Sequence, residues 1–344
     1  SRGLGDVYKR QDKLRKLLSD GMDKNEIEKR FKINHRINVE ENIIHFANRI
    51  VTSTKQEIQN QYGDYDNTAP EKFCVIPPGV DLEKFYPYNS RIPLDEETAK
   101  LLQTISNQLL KFFVRIEKPL ILTVCRPDKR KNITGLIKAY GEDEDLQEKA
   151  NLAIFAGIRE DIQEMPDNER EVLTDILLLM DKYNLYGKMA IPKRHNTQTE
   201  VPELYRFAAD TGGVFTNVAL TEPFGLTLIE AAASGVPVVA TDDGGPRDIL
   251  ENCKNGILVD VSDSKNISEA IKKIIYDKKL WLQFSEGGMK NVKKYYTWKA
   301  HVQTYLKEIE ELVEKGQDNQ KVFALVGKKL LDAEKLIVSD IDHT

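Results

Sequence analysis

From residue 119 onward, short apolar runs alternate with amphipathic segments. The runs are PLILTVC (119–125), NLAIFAG (151–157), KMAI (188–191), GVFTNV (213–218), VPVVAT (236–241) and GILVD (256–260). Each has the length and β-branched content of a buried strand. Helical spacing falls between them at 132–141, 168–186, 201–210, 225–234 and 246–252; the second puts Val172, Leu173, Ile176, Leu177 and Met180 on one face. More amphipathic helices run to about residue 316. This alternation predicts an α/β protein, a doubly wound parallel sheet covered on both faces with right-handed crossovers. Upstream, 12–31 and 36–48 have helical periodicity and RIVTST (49–54) is a short strand. Thr54 can cap the helix KQEIQNQY, because its oxygen can accept a free first-turn N–H. FCVIPPGVD (73–81) is a second strand, closed by Pro77-Pro78-Gly79. A polar stretch from Phe85 to about Lys118, with Pro87, Pro93 and Pro119 around one helical segment, reads as a linker.

A length of 344 residues suits about two domains. The net charge of −5 supplies no global attraction to nucleic acid or an anionic membrane. No apolar run approaches the ~20 residues of a membrane helix. Cys74, Cys125 and Cys253 are isolated and odd in number, which suggests neither a disulfide framework nor a zinc cluster, and a reduced, cytoplasmic setting is expected. The chain opens without Met, on SRGLGDVYKRQ, and closes on EKLIVSDIDHT, an apolar strand running into an acidic turn. Both ends suggest a piece of a longer polypeptide, with the first eleven residues a foreign junction.

In such sheets ligands bind beyond the carboxyl ends of the strands. Three loops there carry chemistry. In CRPDKRKN (125–132), Arg126, Lys129, Arg130 and Lys131 crowd a strand end beside the next helix. Cations beside helix N–H groups are unfavourable unless an anion lies between them, so Arg126 and Lys131 point to a phosphate; taken alone, the loop is equally a solvated basic turn. In TEPFGLTLIEAAASG (221–235), Gly225 opens a helix and lets ligand oxygens approach the amides of Gly225 and Leu226. Glu222 stands before that tip as an acceptor suited to sugar hydroxyls. Glu230, four residues past Leu226, lies about 6 Å further along the same face and suits ribose hydroxyls. Taken alone, these are a capping acid and an exposed helix acid. In TDDGGPRDIL (241–250), Gly244-Gly245 is a tight turn with Pro246 as first helical residue, able to shape a cleft without touching ligand. Together the three loops describe a site for a nucleoside diphosphate bearing a sugar.

Across roughly residues 12–315 the sequence resembles the retaining glycosyltransferases of GT-B fold that use nucleotide sugars, and among them the sucrose-phosphate synthases. RPDKRKN resembles the family's R-P-D-x-x-K-N, and EPFGLTLIEAAASGVPVVATDDGGP its E-x7-E element. IVTSTKQEIQNQY and VIPPGVD also resemble that family's N-terminal half. The resemblance implies two Rossmann-like domains: an incomplete acceptor-side one (1–84), the linker (85–118) and a nucleotide-sugar domain with trailing helices (119–316). Arg126 and Lys131 would hold the diphosphate, Glu222 the transferred glucose and Glu230 the ribose, with Phe224, Gly225 and Leu226 in the donor loop. Arg126, Lys131 and Glu222 would be the catalytic set. RHNTQTEVPELY (194–205) stands where the family passes the uracil ring, which makes His195 a base contact or, more commonly for such a residue, a surface histidine. Where the family reads His-Ser-Leu-Gly ahead of an acceptor-side Lys, this chain has Val7-Tyr8-Lys9-Arg10 ahead of Lys13. Arg36, where the family reads R-R-I, follows His35 and would reach an acceptor phosphate; a helix surface charge is the alternative. SDIDHT resembles the D-x-D-x-T motif of haloacid-dehalogenase-type phosphatases, with Asp340, Asp342 and Thr344 in the motif positions. Residues 317–344 would then be a linker and the first strand of a truncated phosphatase domain, inactive here, for which Mg would be needed only when complete.

The activity implied is glucosyl transfer from UDP-glucose to fructose 6-phosphate, giving sucrose 6-phosphate and UDP with retention, and with no metal or other cofactor for the transferase. The alternatives are a mannosylfructose-phosphate synthase using GDP-mannose, a sucrose synthase using free fructose, and a nucleotide-sugar-binding fragment without catalysis. An NAD site is disfavoured, since no G-x-G-x-x-G follows a strand.

Overall fold

The computed structural model describes residues 17–19, 21–62, 69–90, 95–317 and 337–339. They form two compact units, one from Pro78 to Ala300, the other from the described residues up to Pro77 and from His301 on.

The larger unit is built on a six-stranded, all-parallel sheet. Its strands are β3 (Leu120–Cys125), β4 (Asn151–Ala156), β5 (Met189–Ala190), β6 (Val214–Asn217), β7 (Val238–Thr241) and β8 (Gly256–Val259), in the order β5-β4-β3-β6-β7-β8. The order reverses at β3/β6, where the chain leaves one half of the sheet to build the other. β4, NLAIFA, is buried at every position, as a strand covered on both faces must be. Helices α4 (Ile133–Gly141), α5 (Glu144–Lys149), α6 (Asp167–Lys182), α7 (Glu200–Asp210), α8 (Leu226–Ser234), α9 (Pro246–Cys253), α10 (Ser264–Tyr276) and α11 (Lys278–Tyr295) supply the two covering layers. The predicted strands and helices are all present, with ends displaced by at most four residues in either direction.

The stretch from Phe85 to Lys118 differs from the expected linker. It lies inside this unit, and helix α3 (Glu96–Leu109) sends Ile105 and Leu109 into the core beside Phe85 and Phe113. Asp95 caps the helix by accepting from Thr98 N at 2.7 Å. The stretch is polar on one helical face and apolar on the other, so its mean polarity concealed the buried stripe.

In the smaller unit, α1 (Lys24–Phe31) and α2 (Ile33–Phe46) pack Ile27, Ile33, Ile37 and Ile44 against Ile50 and Phe73 of the sheet. The predicted helix over 12–31 is interrupted at Gly21, whose φ of +84° is left-handed, and restarts at the Asp23 cap. Lys32, also left-handed, separates α1 from α2. Strands β1 (Arg49–Thr52) and β2 (Phe73–Val75) pair in parallel. Thr54 does cap the following turn, Glu57–Tyr62: Glu57 N donates to its Oγ1 at 3.1 Å. The turn is wound as a π-helix. Helix α12 (Trp298–Gln317) follows α11, and Arg49 of β1 bonds its Glu308 at 2.8 Å. Strand β9 (Ile337–Ser339), expected to begin a separate phosphatase-like domain, pairs in parallel with the other edge of β1. An unpaired strand edge offers N–H and C=O groups to any apolar segment within reach, and 337–339 is such a segment.

Candidate functional site

The carboxyl ends of β3, β6 and β7 carry the three loops read from the sequence, and the structure ties them to one another. After β3, Lys129–Lys131 form a single 3-10 turn. Asp128 closes it: its carboxylate accepts from Arg130 N at 2.9 Å and pairs with the Arg130 guanidinium. That bond, together with the nearby Arg126 charge, outweighs partial burial and holds the Asp128 carboxyl down at about 2. Asp128 thus occupies Arg130, while Lys129 pairs with Glu171 on α6. Lys131 turns the other way. Its Nζ lies 2.7 Å from Glu222 Oε2, with both side chains mostly shielded from solvent. Arg126 sits exposed at the end of β3.

Glu222 is held from several sides. Asn217, at the end of β6, donates from Nδ2 to the same Glu222 oxygen at 3.0 Å. The backbone of Glu222 is bracketed by the glycine loop: its N–H donates to Asp243 O at 3.1 Å, and Gly245 N donates to its carbonyl at 2.9 Å. Gly244 has φ +108°, and a Cβ there would stand 1.9 Å from the Glu222 carbonyl oxygen. The Gly-Gly turn therefore exists to let this loop lie against Glu222, which agrees with a structural role for it. Leu220 N donates to Arg130 O at 2.8 Å and joins the first loop to the second.

Gly225, with φ +102° and ψ +56°, precedes α8. Among the described residues no side chain caps this end, and its first turn carries no acid. Glu222 lies against Gly225, and Leu226 is exposed at the tip, the end of the helix that carries its partial positive charge. Glu230 lies on α8 and accepts from the Tyr205 hydroxyl at 3.0 Å. Burial pushes its carboxyl up to about 7, against the Tyr205 bond and the Lys84 charge, which act in the opposite direction.

Two predicted residues stand elsewhere than expected. The Phe224 side chain is buried and packs on Tyr296, so it is a core residue and leaves only its backbone to the loop. His195 is also buried, with its ring edge-on to Phe155 at 5.6 Å, which corrects the expectation of a surface histidine. Burial lowers its pKa, so the ring is neutral near pH 7, and its Nδ1 finds no partner among the described residues. Lys13, Asp340, Asp342 and Thr344 lie outside the described residues, and of Arg36 only the backbone, within α2, is described.

Sequence reasoning missed Asn217, Tyr205 and Arg159. Arg159 is buried in the loop after β4 and donates to the carbonyls of Ile191 and Pro192, both at 3.0 Å, so it clamps the backbone leading to His195. Its signal in the sequence was an arginine just beyond a strand end, in a loop that showed no other pattern. Among the described residues no group of three or more His, Cys, Asp or Glu side chains is placed to hold a metal ion.

Comparison with known proteins bears on this geometry. Residues 108–291 match the family model described as glycosyl transferases group 1. The chain is 40% identical over 332 residues to sucrose-phosphate synthase 4 of Arabidopsis thaliana, and 40% identical over 331 residues to the sucrose-phosphate synthase of Zea mays. Each match covers 87% of this chain and 31% of the relative, so the chain spans about a third of the length of these proteins. Among solved structures it superposes on the sucrose-phosphate synthase (tll1590) from Thermosynechococcus elongatus with TM-score 0.64 at 24% identity, over 82% of this chain and 62% of that one. It also superposes on Anabaena Alr3699/HepE, solved in complex with UDP and glucose, with TM-score 0.62 at 17% identity, over 80% of this chain and 67% of that one. These likenesses establish the α/β GT-B glycosyltransferase fold with its six-stranded parallel sheet.

Proposed function

This chain belongs to the group 1 glycosyl transferases, and we propose that within the family it carries the donor side of a sucrose-phosphate synthase. The reaction is transfer of glucose from UDP-glucose to the hydroxyl of fructose 6-phosphate, with retention, giving sucrose 6-phosphate and UDP. The identity to plant sucrose-phosphate synthases over most of the chain supports the choice of substrates. The observation that carries the reading is the contact of Lys131 with Glu222 in front of the uncapped tip of α8.

In that arrangement the bond from glucose C1 to the β-phosphate oxygen breaks, and negative charge develops on the departing UDP. Lys131, Arg126 and the amides at the α8 tip meet that charge, Glu222 accepts from hydroxyls of the transferred glucose, and Glu230 accepts from the ribose. The acceptor hydroxyl forms the new bond on the face the phosphate leaves, and its proton passes to the phosphate oxygen. Fixed donors aimed at developing charge are each worth about 2.7–4 kcal/mol, or about 10²–10³ in rate. Lys131→Ala is therefore expected to lower UDP release from UDP-glucose and fructose 6-phosphate by about 10²–10³. Turnover within a few-fold of the parent would falsify the assigned role.

A second reading is favoured by one observation, that the chain spans only 31% of its plant relatives. It is a nucleotide-sugar-binding module that does not turn over by itself. Calorimetry with UDP-glucose beside the release assay separates the two: heat of binding without UDP release favours the module.

A further inference from the structure

We infer that Tyr205 is a positioning residue of the donor site, its hydroxyl holding one carboxylate oxygen of Glu230 so that the other is presented to the two hydroxyls of a ribose. The inference rests on the donor-site reading above.

Three observations carry it. The first is the bond itself, Tyr205 OH to Glu230 Oε2 at 3.0 Å, joining α7 to α8. The second is that Tyr205 has no freedom to turn away. Its ring is fully buried and edge-packed between Phe85, at 6.0 Å, and Phe215 of β6, at 5.1 Å. The third is that α7 is itself anchored by a buried ion pair, Glu203 with Arg206, whose guanidinium also donates to Lys84 O at 3.1 Å and stacks on the Tyr86 ring. A side chain locked at both ends, with its single polar atom aimed at a ligand-facing carboxylate, is the arrangement that fixes a carboxylate's direction.

The same bond governs the charge state of Glu230. Burial favours the neutral acid, and a hydroxyl donating to the carboxylate favours the ion. Two other titratable or charged groups face this pair. Lys84, bonded through Nζ to Gln198, adds favourable charge. Cys125 at the end of β3 faces Tyr205, and burial holds its thiol up at about 12, so it stays neutral. Tyr205 itself is raised well above its ordinary value by burial and then by Glu230, so its hydroxyl remains a donor. From α11, which packs on α8 as well, Ser285 and Met289 approach Gly235, and neither is charged near pH 7.

A ribose diol donates to a carboxylate and is served less well by a carboxylic acid. UDP-glucose affinity is thus expected to rise with pH as Glu230 ionises, with a midpoint near 7, and to level off above it. UDP-glucose is the probe because its diphosphate, unlike that of UDP, has no ionisation in this range. Tyr205→Phe keeps the packed ring and removes the donor, which raises the Glu230 midpoint. Its affinity should fall about tenfold at pH 6.5 and approach that of the parent to within about twofold at pH 8.5. In a Glu230→Gln background, where the pH dependence should be flat, Tyr205→Phe should change affinity by less than about twofold.

The experiment is calorimetry of the parent, both single variants and the double variant from pH 6 to 8.5, with the ligand-free Glu230 carboxyl titrated by carbon-13 NMR in parent and Tyr205→Phe. An upward move of both the binding and the NMR midpoint supports the role. An unmoved midpoint in a protein that binds UDP-glucose overturns the positioning role alone. A moved NMR midpoint in a chain that binds no UDP-glucose at any pH overturns the donor-site reading and this inference with it.

Discussion

Glu222 shows how much of a site residue's behaviour is set by its neighbours' backbone. Its side chain takes two donors, Lys131 Nζ and Asn217 Nδ2, on one oxygen, while its main chain is clasped by residues 243–245. The clasp requires glycine at 244, because φ is +108° and a Cβ would overlap the Glu222 carbonyl. Gly244→Ala should cost about 1–3 kcal/mol for the left-handed backbone, with a further loss from the clash. Denaturant unfolding of the variant should show that loss, and UDP-glucose affinity should fall with it as Glu222 is displaced. A variant with unchanged stability and affinity would show that the loop need not lie against Glu222. The types of the key side chains were legible in the sequence, since the loops 125–132 and 221–230 announce cations and acids. Their pairing was not. Lys131 meets Glu222 across 91 residues of chain, and nothing local encodes which acid a lysine faces.

At the scale of elements, strands and helices after residue 119 followed from periodicity because both faces of the sheet are covered, which leaves uninterrupted apolar runs. Helix α7 was the harder case. Its sequence EVPELYRFAAD places Glu203 and Arg206 where an exposed face would be read, yet both are buried. They sit three residues apart on the helix and neutralise one another, with Lys84 O taking a further guanidinium proton. Removing one partner strands the other charge in the interior. Glu203→Ala is expected to destabilise the protein by about 3–5 kcal/mol, measured by chemical denaturation. A loss below about 1 kcal/mol would show that water reaches the pair and that it behaves as a surface bridge.

For the larger unit as a whole, stability should be graded outward from the middle of the sheet. β3 is hydrogen-bonded on both sides, by β4 and β6, and Ile121 and Leu122 are fully buried. β5 has two residues, and β8 is only partly buried along most of its length. Amide hydrogen exchange should therefore be slowest in β3 and β6 and faster in β5 and β8. Equal protection across all six strands would mean that the unit opens only globally. The candidate site lies on the carboxyl ends of β3, β6 and β7, at and next to the reversal of strand order, so its loops rest on inner strands of the sheet and not on its edges.

The sequence by itself determined the parallel α/β unit, the strands whose loops carry the candidate site, and the charged residues in those loops, because period, strand composition and helix-tip chemistry are local properties of the chain. Tertiary structure alone decided what those residues touch. It turned Lys131 toward Glu222 and Arg130 toward Asp128, buried Phe224 and His195, brought Phe85, Ile105, Leu109 and Phe113 into the core, set β9 beside β1, and placed Tyr205 on Glu230. Each of those outcomes depends on burial or on a partner far away in the chain, and a carboxylate's environment, unlike its position in a motif, exists only once the layers have packed.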